Sequence, residues 1–351
     1  MIKTKYITKI IILMTKFDMA VWGFLLLFVA AATAFPRDPV LRKLDDLRYQ
    51  HVEGPDGKLH LSDSWLKASD LQEVARYDPD RQNVYHLFTR ANPVVSQPLL
   101  MGVDGLLGLT NYDPRRRTIV LLHGWRVDVT AAMNTLLVPA FLSAEDLNII
   151  VVDWSAGASS INYYTAVANT VPAGLSVARF ISWLNSATNA VPSMYHIVGH
   201  SLGAHMAGII GRALGGQIGY ITALEAASPG WINNADRFRA NDGLYTEVIH
   251  TNAGVLGFLS PLGQVDFYPN GGINMPGCDS QECDHARSYF YLAESLTSGG
   301  FTGRRCASYV TAMLGNCMLW GNLRMGGLVP KTGSTGIFYM ETNSAPPFSR
   351  S

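Results

Sequence analysis

One pentapeptide constrains the fold of this chain more than its composition does. Within "HIVGHSLGAHMAG", residues 196–208, Ser201 stands two residues after Gly199 and two before Gly203. A serine flanked in this way becomes an exposed nucleophile when a buried strand runs into the turn and a helix runs out of it. Both flanks are present. Tyr195, His196, Ile197 and Val198 make a short, mostly apolar run, and Ala204, Met206, Ala207, Ile209 and Ile210 follow at helical density until Gly215 and Gly216. Small residues at 199, 203, 204, 207 and 208 let such a turn sit close against its neighbours.

The rest of the chain supplies a sheet for that strand. "RTIVLLHGW" (117–125), "LNIIVVDW" (147–154), "MYHIVGHS" (194–201), "GYITALE" (219–225) and "LYTEVIHT" (244–251) are apolar runs separated by helix-length segments. Continuous apolarity, in place of alternation, is what a parallel sheet covered on both faces requires. One intervening segment, Pro172 to Asn185, places Leu175, Ala178, Ile181 and Leu184 on one helical face. "NVYHLFTRANP" (83–93) reads as an edge strand stopped by Pro93. The expectation is a doubly wound, mostly parallel α/β sheet of the α/β-hydrolase kind, in one catalytic domain over 81–351. Residues 35–80 read as a charged, irregular N-terminal extension. With 27 basic and 27 acidic residues there is no net field to draw in nucleic acid.

Lysines 3, 5, 9 and 16 precede the run "MAVWGFLLLFVAAATA", which closes on Ala32, Thr33 and Ala34. This is the pattern of a secretory signal peptide over 1–34, cleaved before Phe35, and it implies an extracellular protein. All four cysteines, 278, 283, 306 and 317, lie in the last quarter of the chain. Four cysteines allow three pairings, and the sequence neighbours, Cys278 with Cys283 and Cys306 with Cys317, are the expected ones. No C-x-x-C pair suggests zinc, and no metal or cofactor is expected.

A serine hydroxyl is a weak nucleophile without a histidine base, and that histidine needs an acid to fix its tautomer and balance the imidazolium. In α/β hydrolases the chain order is Ser, acid, His, each near a strand's C-terminal end. Glu225 ends the run "GYITAL" and fits the acid, with Asp242 and Asp266 as competitors. His285, after a short cysteine loop and before a helix expected through Ser288 to Leu296, fits the base better than His250. The oxyanion needs two backbone N–H groups. Leu202, next after the nucleophile, and Trp125, in the turn after "LLHGW", are the candidates.

In these stretches the sequence resembles the pancreatic-lipase-like secreted lipases, in detail their shorter insect members and the related phospholipases A(1). The resemblance runs from about Tyr85 to Phe348 and rests on "LLHGW", "VVDWS", "HIVGHSLGAHMAG", "ITALEAASPG", "EVIHTNAGVLGF", "VDFYPNGG", "CDHARSYFYLAES" and "GIFYMETNSAPPF". It implies Ser201 as nucleophile, His285 as base, and the backbone of Trp125 and Leu202 as oxyanion hole. It also implies a lipid substrate met at a membrane or micelle surface by a monomeric enzyme. Three departures stand out. The family's Leu-Asp-Pro-Ala reads Leu224, Glu225, Ala226, Ala227 here, giving the acid roughly 1.5 Å more reach. The cysteine pair that brackets a helical lid in triacylglycerol lipases brackets only residues 279–282, and the loop from Thr251 to Gln264 is short, which is similar to the phospholipase members. Arg239 in "ADRFRANDG" falls where calcium-binding relatives carry a carboxylate, so no calcium is expected. The chain stops close behind the hydrolase pattern, and the β-sandwich domain of larger relatives is expected to be missing.

Overall fold

A computed structural model describes residues 49–53, 59–63, 76–318 and 320–350. The leader expected over 1–34 lies outside the described residues, as does much of the 35–80 extension. Where the extension is described it holds a hairpin, β1 (Tyr49–Glu53) paired antiparallel with β2 (Leu59–Asp63), in place of the irregular chain expected. The described residues form one compact unit.

The five apolar runs become strands. They are β5 (Thr118–Leu122), β6 (Asn148–Asp153), β7 (Tyr195–His200), β8 (Tyr220–Leu224) and β9 (Thr246–Ile249), joined by β10 (Val265–Pro269) and β13 (Gly336–Met340). These seven strands are mutually parallel in the spatial order β6, β5, β7, β8, β9, β10, β13. Their apolarity is continuous because both faces are covered. In β5, Val120 and Leu122 pack into one core cluster while Ile119 and Leu121 pack into the other. Helices α1 (Ala132–Ala144) and α4 (Gln281–Thr297) cover one face, and α2 (Tyr163–Thr188) and α3 (Leu202–Ala213) the other.

Antiparallel pairs close both edges. β3 (Val84–Thr89) lies beside β6 with β4 (Asn92–Leu99) outside it, and β11 (Thr302–Cys306) lies beside β13 with β12 (Asn322–Arg324) outside. Pro93 therefore does not stop the strand that precedes it. It sits in β4, on the sheet edge, where a missing N–H costs no ladder bond to a further strand. The reversal is made by Thr89 Oγ1 donating to Asn92 Oδ1 at 2.6 Å and Asn92 Nδ2 donating to the Leu87 carbonyl at 2.8 Å.

The helix expected from Pro172 begins nine residues earlier, at Tyr163, with Pro172 inside it. Asn162 caps it, its side chain accepting from Tyr164 N, and Tyr163, Ala166, Val167 and Asn169 are buried in its first turns. Tertiary packing thus outweighs the backbone bond that proline removes. Helix α4 also starts earlier than Ser288. Ser280 caps it, accepting from Cys283 N at 3.2 Å, and Glu282 and Asp284 favour the positive end of the helix dipole. The disulfides are Cys278–Cys283 and Cys306–Cys317, and the first clamps this N-terminal turn. Among the described residues no helix is long and apolar enough to cross a membrane.

Candidate active site

The chain runs outward from β5 to β6, then returns to the other side of β5 as β7, so the winding direction reverses between β5 and β7. Ligands of open α/β sheets bind beyond the strand C-termini at such a reversal. Ser201 sits there, directly after β7, and the His123–Gly124–Trp125 turn sits beside it, directly after β5.

Ser201 has φ 57° and ψ −118°, a left-handed conformation that a non-glycine residue keeps only where its surroundings hold it. The surroundings here are backbone. Ser201 N donates to the Leu224 carbonyl at 3.1 Å, and the Ser201 carbonyl accepts from Ala204 N and Ala227 N. A Cβ on Gly199 would run into the Gly203 carbonyl, and one on Gly203 into the Leu122 carbonyl. The two flanking glycines are therefore required by close approach of the strand, the elbow and β5. Replacing Gly203 by Ala is expected to cost about 3 kcal/mol, since the neighbouring atoms are backbone and cannot turn aside. A thermal melt should show Tm lowered by roughly 5 °C or more.

Ser201, His285 and Trp125 line one cleft, whose walls also include Tyr163, Leu256 and Tyr289. Leu202 is the first residue of α3, so its N–H has no acceptor within the helix. Trp125 is half-buried, its ring edge-on to Tyr163 and its indole N–H donated to the Ser160 carbonyl at 2.8 Å. His123, buried behind it, faces the Gly124 carbonyl through Nδ1 at 2.9 Å and accepts from Trp154 N through Nε2 at 3.2 Å. This histidine belongs to the strand-end turn read in "LLHGW", and it holds the turn that carries Trp125.

His285 lies within α4, on its first turns, where a loop had been expected. It is buried, and burial holds its ring well below the ordinary histidine range, in the neutral form a base requires. His200, next before the nucleophile, faces the His285 carbonyl through Nε2 at 3.3 Å, and the two rings lie 4.5 Å apart. Burial pushes His200 down to about 4, so it too is neutral.

Glu225 follows β8 and is wholly buried, with φ 46°. Its Oε2 accepts from both the backbone N and the Oγ1 of Thr251, the latter at 3.1 Å. Its Oε1 has no hydrogen-bond partner and lies against Gly257, where an added Cβ would fall on top of it. The Nδ1 of His285 is likewise buried without a partner. Glu225 and His285 are thus two desolvated side chains, each with one open hydrogen-bonding atom, and no hydrogen bond joins them. Burial pushes Glu225 up to about 7, offset in part by the nearby His250 and by the Thr251 N–H.

The competitors named from sequence are engaged elsewhere. Asp242 is buried against Arg212, 2.7 Å from Nη1, and accepts from Arg239 N at 2.7 Å. Asp266 accepts from His250 Nε2 at 2.9 Å and from the Leu262 and Gly263 N–H groups. His250 is wholly buried between Asp266 and the Phe258 carbonyl, away from the cleft walls. Thr251, which bonds Glu225, gave no sign in the sequence beyond following His250. Among the described residues no group of three or more His, Cys, Asp or Glu side chains could hold a metal ion.

An open parallel sheet with a serine at a strained strand-to-helix turn, at its reversal point, defines an α/β hydrolase. The model of the family described as Lipase matches residues 62–348, and the chain belongs to that family. It is similar to Lipase member H of Xenopus tropicalis, 37% identical over 243 residues that cover 66% of this chain and 52% of the relative. It is also similar to pancreatic lipase-related protein 2 of Bos taurus, at 34% identity covering 75% and 63%, and to phospholipase A1 member A of Mus musculus, at 32% covering 74% and 62%. The chain spans about half to two-thirds of the length of these relatives.

Proposed function

We propose that this protein is a secreted serine ester hydrolase of lipids that releases the sn-1 acyl chain of phospholipids through an acyl-enzyme. The observation that carries the reading is the cleft, which strained Ser201 and buried, neutral His285 line together with apolar and aromatic walls. His285 takes the Ser201 proton as Oγ attacks the ester carbonyl. The oxyanion forms against the N–H groups of Trp125 and Leu202, His285 returns the proton to the leaving lysolipid, and water repeats the cycle to free the acid. Glu225, by turning its open Oε1 from Gly257 toward Nδ1, supplies the acid.

The preference for phospholipid is supported by the short cysteine bracket. Residues 279–282 form the cap and first turn of α4 and leave no segment to cover the cleft. A relative's printed name, phospholipase A1 member A, agrees with it. Secretion is supported by two disulfides, which persist in oxidising compartments.

The test is incubation with mixed micelles in which the phospholipid sn-1 chain, its sn-2 chain and the triacylglycerol chains differ in mass, with Ser201→Ala as control. Release of the sn-1 chain by wild type alone supports the proposal. Triacylglycerol chains would assign a lipase with an uncovered cleft. Release of nothing by a folded wild type would favour a lipid-binding protein, the reading to which the missing Glu225–His285 bond lends weight.

The acid limb of kcat/KM is expected near pH 7. His285 stays neutral throughout that range, so the limb follows ionisation of Glu225, and activity falls as pH drops through about 7. A stopped assay from pH 4 to 9 measures it, and a limb near pH 4 would mean that burial does not raise the Glu225 carboxyl.

A further inference from the structure

His250 was left outside the chemistry, yet it is wholly buried among polar groups beside Glu225. Glu225 straddles it. The Glu225 N–H donates to the Ile249 carbonyl at 2.9 Å, and the Glu225 side chain accepts from Thr251 N, one residue to each side of His250. The imidazole of His250 stacks on Tyr268 with ring centroids 4.2 Å apart, and both of its nitrogens face acceptors. Nδ1 lies 3.0 Å from the Phe258 carbonyl and Nε2 lies 2.9 Å from Asp266 Oδ1. A neutral imidazole has one N–H and one lone pair, so it satisfies only one of two acceptors. Both Asp266 oxygens are acceptors already, Oδ1 from the Leu262 N–H at 2.9 Å and Oδ2 from the Gly263 N–H at 3.1 Å. The arrangement is satisfied when His250 carries both protons.

We propose, on the reading that Glu225 is the catalytic acid, that His250 is a positioning residue: clamped as an imidazolium by Asp266 and the Phe258 carbonyl, it keeps the buried Glu225 carboxyl ionised and available to His285. A carboxyl with no water around it takes up a proton unless a cation or several N–H groups oppose this. Here Thr251 supplies one N–H and one hydroxyl, the Asn252 backbone a further N–H, and His250 supplies the charge. The other titratable groups nearby give no cation. On β10 they are Asp266 and Tyr268, and burial pushes Tyr268 far up. On α4 they are neutral His285 and Asp284, whose Oδ1 accepts from Met275 N. On α3, His205 is pushed down to about 3 between the Ala227 carbonyl and Phe238 N. Among the described residues no lysine or arginine forms an ion pair with Glu225 or Asp266.

The experiment is the pH dependence of kcat/KM for wild type, His250→Gln, Asp266→Asn and Glu225→Gln, each checked by thermal melting. Glutamine keeps a donor and most of the volume of His250 but carries no charge. In His250→Gln the acid limb is expected to move up by about one pH unit, with about a fivefold loss at pH 7 that is largely recovered near pH 9. Asp266→Asn, which weakens the imidazolium without changing its shape partner, is expected to move the limb the same way by less. It carries the test if His250→Gln does not fold. An equal loss at every pH, or an unshifted limb in a folded variant, overturns the proposal and leaves His250 a packing residue. If Glu225→Gln is as active as wild type, the acid assignment itself fails, and this is distinguishable because it needs no His250 variant. An inactive Glu225→Gln with an unshifted His250→Gln limb defeats the His250 proposal alone.

Discussion

Glu225→Gln is expected to lower kcat by about 10³–10⁴-fold while the protein stays folded. The magnitude follows from the acid's task, which is to hold the histidine in its catalytic tautomer and to balance the imidazolium formed during attack, neither of which a neutral amide does. Folding is expected to survive because the amide keeps the volume and the acceptor oxygen that bonds Thr251, and because a neutral side chain is cheaper to bury than a carboxylate. Steady-state kinetics beside a thermal melt measures both. The acid limb near pH 7 should vanish from the residual activity. Unchanged kcat would remove Glu225 from the triad, yet neither Asp242 nor Asp266 is free to replace it, since Arg212 holds the first and His250 the second.

Ser201→Ala is expected to have the largest effect, about a 10⁶-fold loss of kcat, because without Oγ there is no acyl-enzyme and only binding and the oxyanion amides remain. Its effect on stability should be small. The Ser201 interactions that hold the elbow are made by its N–H and carbonyl, and these survive the substitution. A folded Ser201→Ala protein that still releases fatty acid at the wild-type rate would sink the serine mechanism. The two variants are not expected to add. Once the nucleophile is gone, loss of the acid has little left to remove.

Much of this protein was legible along the chain because the signals are local. Short, β-branched apolar runs such as Ile149 to Val152 read as strands covered on both faces, and their spacing by helix-length segments implies the parallel sheet. The elbow is legible for the same reason: Gly199 and Gly203 bracket one serine between a strand and a helix. Element starts were less legible. Tyr163 and Gln281 open their helices earlier than periodicity suggests, because the Asn162 and Ser280 caps and buried contacts decide where a helix begins. The chain order Ser, Glu, His likewise names candidates without saying how their atoms lie. Only the folded molecule shows that Glu225 is wholly buried, bonded to Thr251 and pressed on Gly257, with its second oxygen and the Nδ1 of His285 both open. Only the folded molecule sets His250 between Asp266 and a carbonyl, 16 and 8 residues along the chain. Sequence patterns determined which residue types could do chemistry, because strand and helix periodicities are properties of neighbours. Ionisation and orientation were decided by the tertiary structure, because burial and hydrogen-bond partners come from segments distant in the chain.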